Sequence, residues 1–99
     1  MKPAYLSVDA ELDLLQQVLW YEQERAGLGE HFRIHIDSAL EQIERSPQLG
    51  ALYGTSDKRR FRVPKPYQRF SVVYVEEEAT VKVISIWSNE RDPRILSMR

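Results

Sequence analysis

Arg60, Arg62, Lys65, Tyr67, Arg69 and Arg91 gather basic and aromatic chemistry in the second half of this 99-residue chain. Guanidinium planes grip phosphates and carboxylates with two parallel hydrogen bonds, and tyrosine rings stack on bases. Cleaving RNA without a metal also needs one group to take the 2′-hydroxyl proton and another to protonate the leaving oxygen. Lys65, Tyr67 and Arg69 are the residues of this run that could be pressed into such roles. Arginine would serve there by stabilising charge, because it rarely moves a proton near neutral pH. His31 and His35 stand four apart on a helical segment, the spacing of a shared metal. Nothing beside them in sequence completes a ligand set, so they read as surface residues on a helix flank, and neither a metal site nor a cofactor is expected. The chain has no cysteine, which excludes a disulfide framework, a zinc–thiolate site and a thiol nucleophile. Nucleophile elbows, glycine-rich phosphate loops and H-E-x-x-H motifs are absent. The carboxylates of Glu22, Glu24, Glu41 and Glu44 read as solvated helix faces.

Charge narrows the partners. The formal net charge is −1, yet Lys58, Arg59, Arg60, Arg62, Lys65 and Arg69 follow one another without an intervening acid. A near-neutral total argues against a protein that coats nucleic acid, which carries a clearly basic balance. What remains is a one-sided basic patch, or cations that keep a strand edge soluble. The length implies a single domain over residues 1–99. The opening MKPAYLSVDAELD reaches acidic residues before any long apolar run, so no secretory signal is expected. No run approaches the ~18 apolar residues of a membrane span. A soluble, cytoplasmic protein is the expectation.

These side chains must be positioned by a small set of elements. Ala4 to Ser7 suits a short strand, with Pro3 at its start. Ser7 can cap a helix from Val8 to about Ala26, with Asp9 and Glu11 favourably placed in its first turn. Ala10, Leu14, Val18 and Tyr21 form its apolar stripe, which Leu15 and Leu19 widen. Gly27 and Gly29 break that helix. A second helix from about Gly29 to Ser46 buries Phe32, Ile36, Ala39, Leu40 and Ile43 and stops at Pro47. So short a link makes the two helices a hairpin. Residues 47–57 read as a loop, after which the period changes to two. Arg60 and Arg62 alternate with Phe61 and Val63, Phe70 to Val75 reads as a central strand, and Glu76 to Thr80 as a hairpin turn. Val81 to Trp87 returns, with Val81, Val83 and Ser85 on one face and Lys82, Ile84 and Ile86 on the other.

The helix end LWYEQERAGLGEHF, the second helix closing in IERSP, the run PYQRFSVVYV and the terminal IWSNERDP occur in an order that resembles the RelE/ParE superfamily of type II toxin–antitoxin toxins. The resemblance spans nearly the whole chain. It implies an α+β fold: an N-terminal helical hairpin packed on a small, mainly antiparallel sheet, in the order β-α-α-β-β-β. In the family's H-x-x-R-x-P signature the histidine position is Ser88, while Arg91 and Pro93 match. Where RelE-type ribonucleases carry an arginine on the central strand, this chain has Ser71, and its tail ERDPRILSMR lacks their late tyrosine. The resemblance therefore points to the ParE branch: a plasmid-stabilisation type of toxin that causes growth arrest by binding DNA gyrase. The chain is then expected not to act as an enzyme. It would be neutralised by a cognate antitoxin and would meet DNA only through that antitoxin. Trp20, Tyr21, Arg60, Arg62 and Arg91 are the expected contact residues, around a groove between the hairpin and the sheet. One alternative is a ribosome-dependent mRNA endonuclease using Lys65, Tyr67 and Arg69. Another is a non-toxic homologue that keeps only antitoxin binding.

Overall fold

The structure is a computed structural model that describes residues 1–52 and 56–90. Strand β1 (Ala4–Leu6) leads into helices α1 (Val8–Glu24) and α2 (Leu28–Arg45). Strands β2 (Ala51–Leu52), β3 (Lys58–Arg62), β4 (Phe70–Glu76) and β5 (Val81–Ser88) follow. The sheet order is β1-β5-β4-β3-β2. β1 runs parallel to β5, and every other pairing is antiparallel. The α+β architecture is the expected one, with one strand more. β2 occupies residues read as loop from sequence. Two residues are too few to display a period-two pattern, and β2 exists because Ala51 and Leu52 fall opposite Arg60 and Arg59.

The helical hairpin is held by caps as well as by packing. Ser7 Oγ accepts from the Ala10 amide at 3.2 Å and caps α1. At the other end α1 stops at Glu24, two residues short of the expected limit. Gly27 takes up φ 88° there, a left-handed conformation that glycine adopts without a Cβ penalty. Gly27 has no side chain with which to cap α2, so Glu22 does so from the preceding helix. Its carboxylate accepts from the Gly27 amide at 2.9 Å and from the Gly29 amide at 3.1 Å. An anion at a helix N-terminus meets unsatisfied N–H groups and the positive end of the dipole. The sequence suggests only a solvated carboxylate at Glu22, because a cap supplied from another helix leaves no local spacing. Glu22→Ala should lower stability by about 1 kcal/mol, read as a reduced midpoint in thermal unfolding. Gly29 is required for a different reason: a Cβ there would stand 2.5 Å from the Val18 carbonyl oxygen.

The hairpin covers one face of the sheet. Ala10, Phe32, Ile36, Ala39 and Ile43 pack with Phe70, Val72, Tyr74, Val81, Val83 and Ile86 in one core, joined by the half-buried Leu14, Val18, Tyr21 and Leu40. Leu15 and Leu19 do not widen that stripe: each is 54% exposed, because their positions turn past the edge of the helix–sheet contact. Ile86 also departs from its expected face. The β4–β5 register shifts between Val73 and Tyr74, and a bulge changes which residues face the core. Ile86 therefore joins the helix-facing core, while Ile84 and Trp87 cluster with Val73. Asp13, buried on α1, holds the bulged strand by accepting from Ser85 Oγ at 3.0 Å and from the Ile86 amide at 3.2 Å.

Candidate partner-binding site

Two hollows flank Arg69 at the end of the sheet where β4 begins and β5 ends. The first, about 310 Å³, lies between α1 and the sheet and is lined by Gln16, Gln17, Trp20, Tyr21, Arg69, Phe70 and Ser88. This is the groove expected between hairpin and sheet. Trp20 stands at its rim, 47% exposed, edge-on to Tyr21 with ring centroids 5.1 Å apart. Tyr21 is half-buried and backed by Phe32, at 5.0 Å, and by Tyr67, at 5.5 Å. The two neighbours thus divide their work. Tyr21 is anchored to the core, and Trp20 remains available. Burial pushes the Tyr21 hydroxyl above its ordinary pKa, opposed by the charge and hydrogen bond of Arg69. The phenol stays protonated at neutral pH and offers a donor at the groove floor.

The second hollow, about 330 Å³, is lined by Arg62, Pro66, Gln68, Arg69, Asn89 and Glu90. Arg69 reaches Glu90 at 3.3 Å and lies over the Phe70 ring at 5.8 Å. With both partners largely exposed, such an ion pair is weak and leaves the guanidinium exchangeable. Arg62 is exposed on the same side. Arg62 and Arg69 therefore form one cationic hollow, with Trp20 and Tyr21 across Arg69 from it.

Arg60 does not join them. Its Nε donates to Ser71 Oγ at 3.3 Å and its guanidinium also donates to Asn89 Oδ1. Ser71, fully buried, donates to the same Asn89 oxygen at 2.8 Å. Where the ribonuclease pattern would place an arginine on β4, the guanidinium beside Ser71 belongs instead to the neighbouring strand and is engaged internally. Asn89 secures this corner further, its Nδ2 donating to the Gln68 carbonyl at 3.1 Å and its amide to the Arg69 carbonyl at 2.8 Å. Sequence reasoning passed over Asn89, Gln16 and Gln17, because single amides carry no spacing signal. Arg91 lies outside the described residues.

Lys65, Tyr67 and Arg69 differ in their surroundings, although Tyr67 and Arg69 both approach Tyr21. Lys65 is exposed in the turn that the Tyr67 amide closes on the Pro64 carbonyl. Tyr67 is 4% exposed, and its hydroxyl lies 2.6 Å from His31 Nδ1. The His35 ring lies close to both, tilted at 4.5 Å from His31 and edge-on at 5.2 Å from Tyr67. Burial, reinforced by Tyr21, raises the Tyr67 pKa against the opposing charge of Arg25. The two histidines are thus engaged with a tyrosine of the core wall. Among the described residues, no three His, Asp or Glu side chains come together as a metal-holding group. No described helix is long and apolar enough to cross a membrane.

A helical hairpin on one face of a mixed sheet, with an aromatic groove and a cationic hollow open at one end, defines a small α+β protein. The family model of the ParE toxin of the type II toxin–antitoxin system parDE matches residues 5–93, and the chain belongs to that family. It is accordingly the toxin component of a type II toxin–antitoxin system, and the family implies an antitoxin partner. Among solved structures, a chain described as "Chromosomal ParDE TA system from P. aeruginosa" is similar in fold, with a TM-score of 0.75 at 13% sequence identity over 89% of this chain and 96% of that one. No curated protein sequence matches significantly.

Proposed function

We propose that this toxin acts in the cytoplasm by binding, as an inhibitor of DNA gyrase, and is silenced when its antitoxin occupies the groove at Trp20 and Tyr21 and the cationic hollow at Arg62 and Arg69. The observation that carries this reading is the disposition of side chains around Arg69. An exposed indole, a tyrosine donor and two accessible guanidiniums are the composition of a protein-recognition hot spot. Of the residues that could move protons, Tyr67 is buried and turned to His31. An amphipathic helix laid over Trp20, continuing into an acidic extended segment at Arg62 and Arg69, would fit both hollows.

The test is induced expression of the chain alone in bacterial cells, with DNA supercoiling and mRNA integrity measured as growth slows. Arrest with altered supercoiling or DNA breaks and intact messages is the expected outcome. Cleaved messages, lost on Tyr67→Phe or Arg69→Ala, would replace this reading with a ribosome-dependent endonuclease. Unimpeded growth would leave a homologue that binds antitoxin without toxicity.

A further inference from the structure

His31 and His35 share one flank of α2, the first exposed and the second half-buried. Each commits only one of its two ring nitrogens to the protein. His35 Nδ1 lies 2.8 Å from the His31 carbonyl oxygen. A carbonyl can only accept, so in the neutral ring this nitrogen holds the proton and Nε2 holds the lone pair. His31 Nδ1 lies 2.6 Å from the Tyr67 hydroxyl. That oxygen can accept a hydrogen bond in the same way, which leaves the lone pair of His31 on Nε2 as well. We propose that the two Nε2 atoms together bind one divalent transition-metal cation of the kind that prefers imidazole, such as nickel or copper.

Metal-binding imidazoles are held in this manner, with the second nitrogen tied to a carbonyl or another polar group that fixes tautomer and ring orientation. The ring separation fits as well. An ion about 2.0–2.1 Å from each nitrogen sets the two centroids roughly 4.5 Å apart at a right angle and roughly 5 Å apart at the tetrahedral angle. The centroids of His31 and His35 are 4.5 Å apart, the right-angle spacing of square or octahedral coordination. Their frame is stiff. Both residues lie within α2, Glu22 caps its start, and Tyr67 behind them is buried. Among the described residues no third His, Asp or Glu joins the pair, so water fills the other positions and the ion is exchangeable. Arg25 places a positive charge near enough to Tyr67 to lower its pKa, and that charge weakens the hold on a cation. Neither histidine lines the hollows around Arg69. The site is therefore separate from the proposed antitoxin surface.

The experiment is a titration of the tag-free full chain with Ni²⁺, followed by calorimetry and by thermal unfolding. One ion should bind per chain and raise the unfolding midpoint, since a ligand of the folded state stabilises it by mass action. His31→Gln and His35→Gln should each weaken binding by about tenfold or more, because a lone imidazole loses the advantage of a linked second ligand. Tyr67→Phe removes the group that orients His31 and should weaken binding by about tenfold. A readout on the wild type needs no variant: paramagnetic Ni²⁺ should broaden the NMR signals of both imidazoles together. Binding unchanged in either histidine variant would overturn the proposal. So would broadening centred on other residues, or the absence of saturable binding.

Discussion

Truncating Phe32 to alanine should cost about 3–5 kcal/mol of folding stability, in the range of large-to-small aromatic core substitutions. Phe32 is fully buried and touches Tyr21 at 5.0 Å, Tyr67 at 5.0 Å and Phe70 at 5.2 Å. Against a typical total of about 5–15 kcal/mol, that loss brings a domain of this size close to unfolding. Urea denaturation should show a much lower midpoint with little change in slope, whereas Phe32→Leu should lose far less. The consequence reaches the groove. Tyr21 is positioned by resting on Phe32, so the folded fraction of Phe32→Ala should bind antitoxin more weakly than the wild type. Unchanged affinity per folded molecule would show that Tyr21 is held by Tyr67 and Phe70 without its central support.

Replacing Trp20 by alanine should reduce antitoxin affinity by about 2 kcal/mol or more, the scale of a tryptophan hot spot, with little effect on stability. The asymmetry follows from placement. Trp20 covers Tyr21 from outside and is nearly half-exposed, so its removal opens no cavity in the core. A purified antitoxin titrated onto the variant measures the loss directly. Arg62→Glu should also weaken the complex, and by more than Lys58→Glu, because Arg62 lines the cationic hollow whereas Lys58 lies at the far end of β3. Equal, small effects of the two charge reversals would remove Arg62 from the interface.

Much of the architecture was legible along the chain because its signals are local. Ser7 ahead of an amphipathic run, Pro47 after one, and the near-continuous apolar stretch from Phe70 each specify an element through neighbouring residues. The order of those elements, with the aromatic landmarks on them, carried the family resemblance. The site was legible in part. Trp20, Tyr21 and Arg62 border the two hollows around Arg69 that are proposed as the binding surface, while Arg60 is drawn into the Ser71–Asn89 corner. Arg69, first read as a catalytic alternative, links the two hollows.

The sequence by itself determined the two helices of the hairpin, four of the five described strands and the absence of thiol chemistry, because composition and periodicity record them directly. Only the tertiary structure decided which face of α1 is buried, how the bulge redirects Ile86, that Glu22 caps a helix other than its own, and that Tyr67 turns to His31. Each of those outcomes depends on contacts between residues distant along the chain or on a one-residue change of register, and neither leaves a spacing that can be read in one dimension.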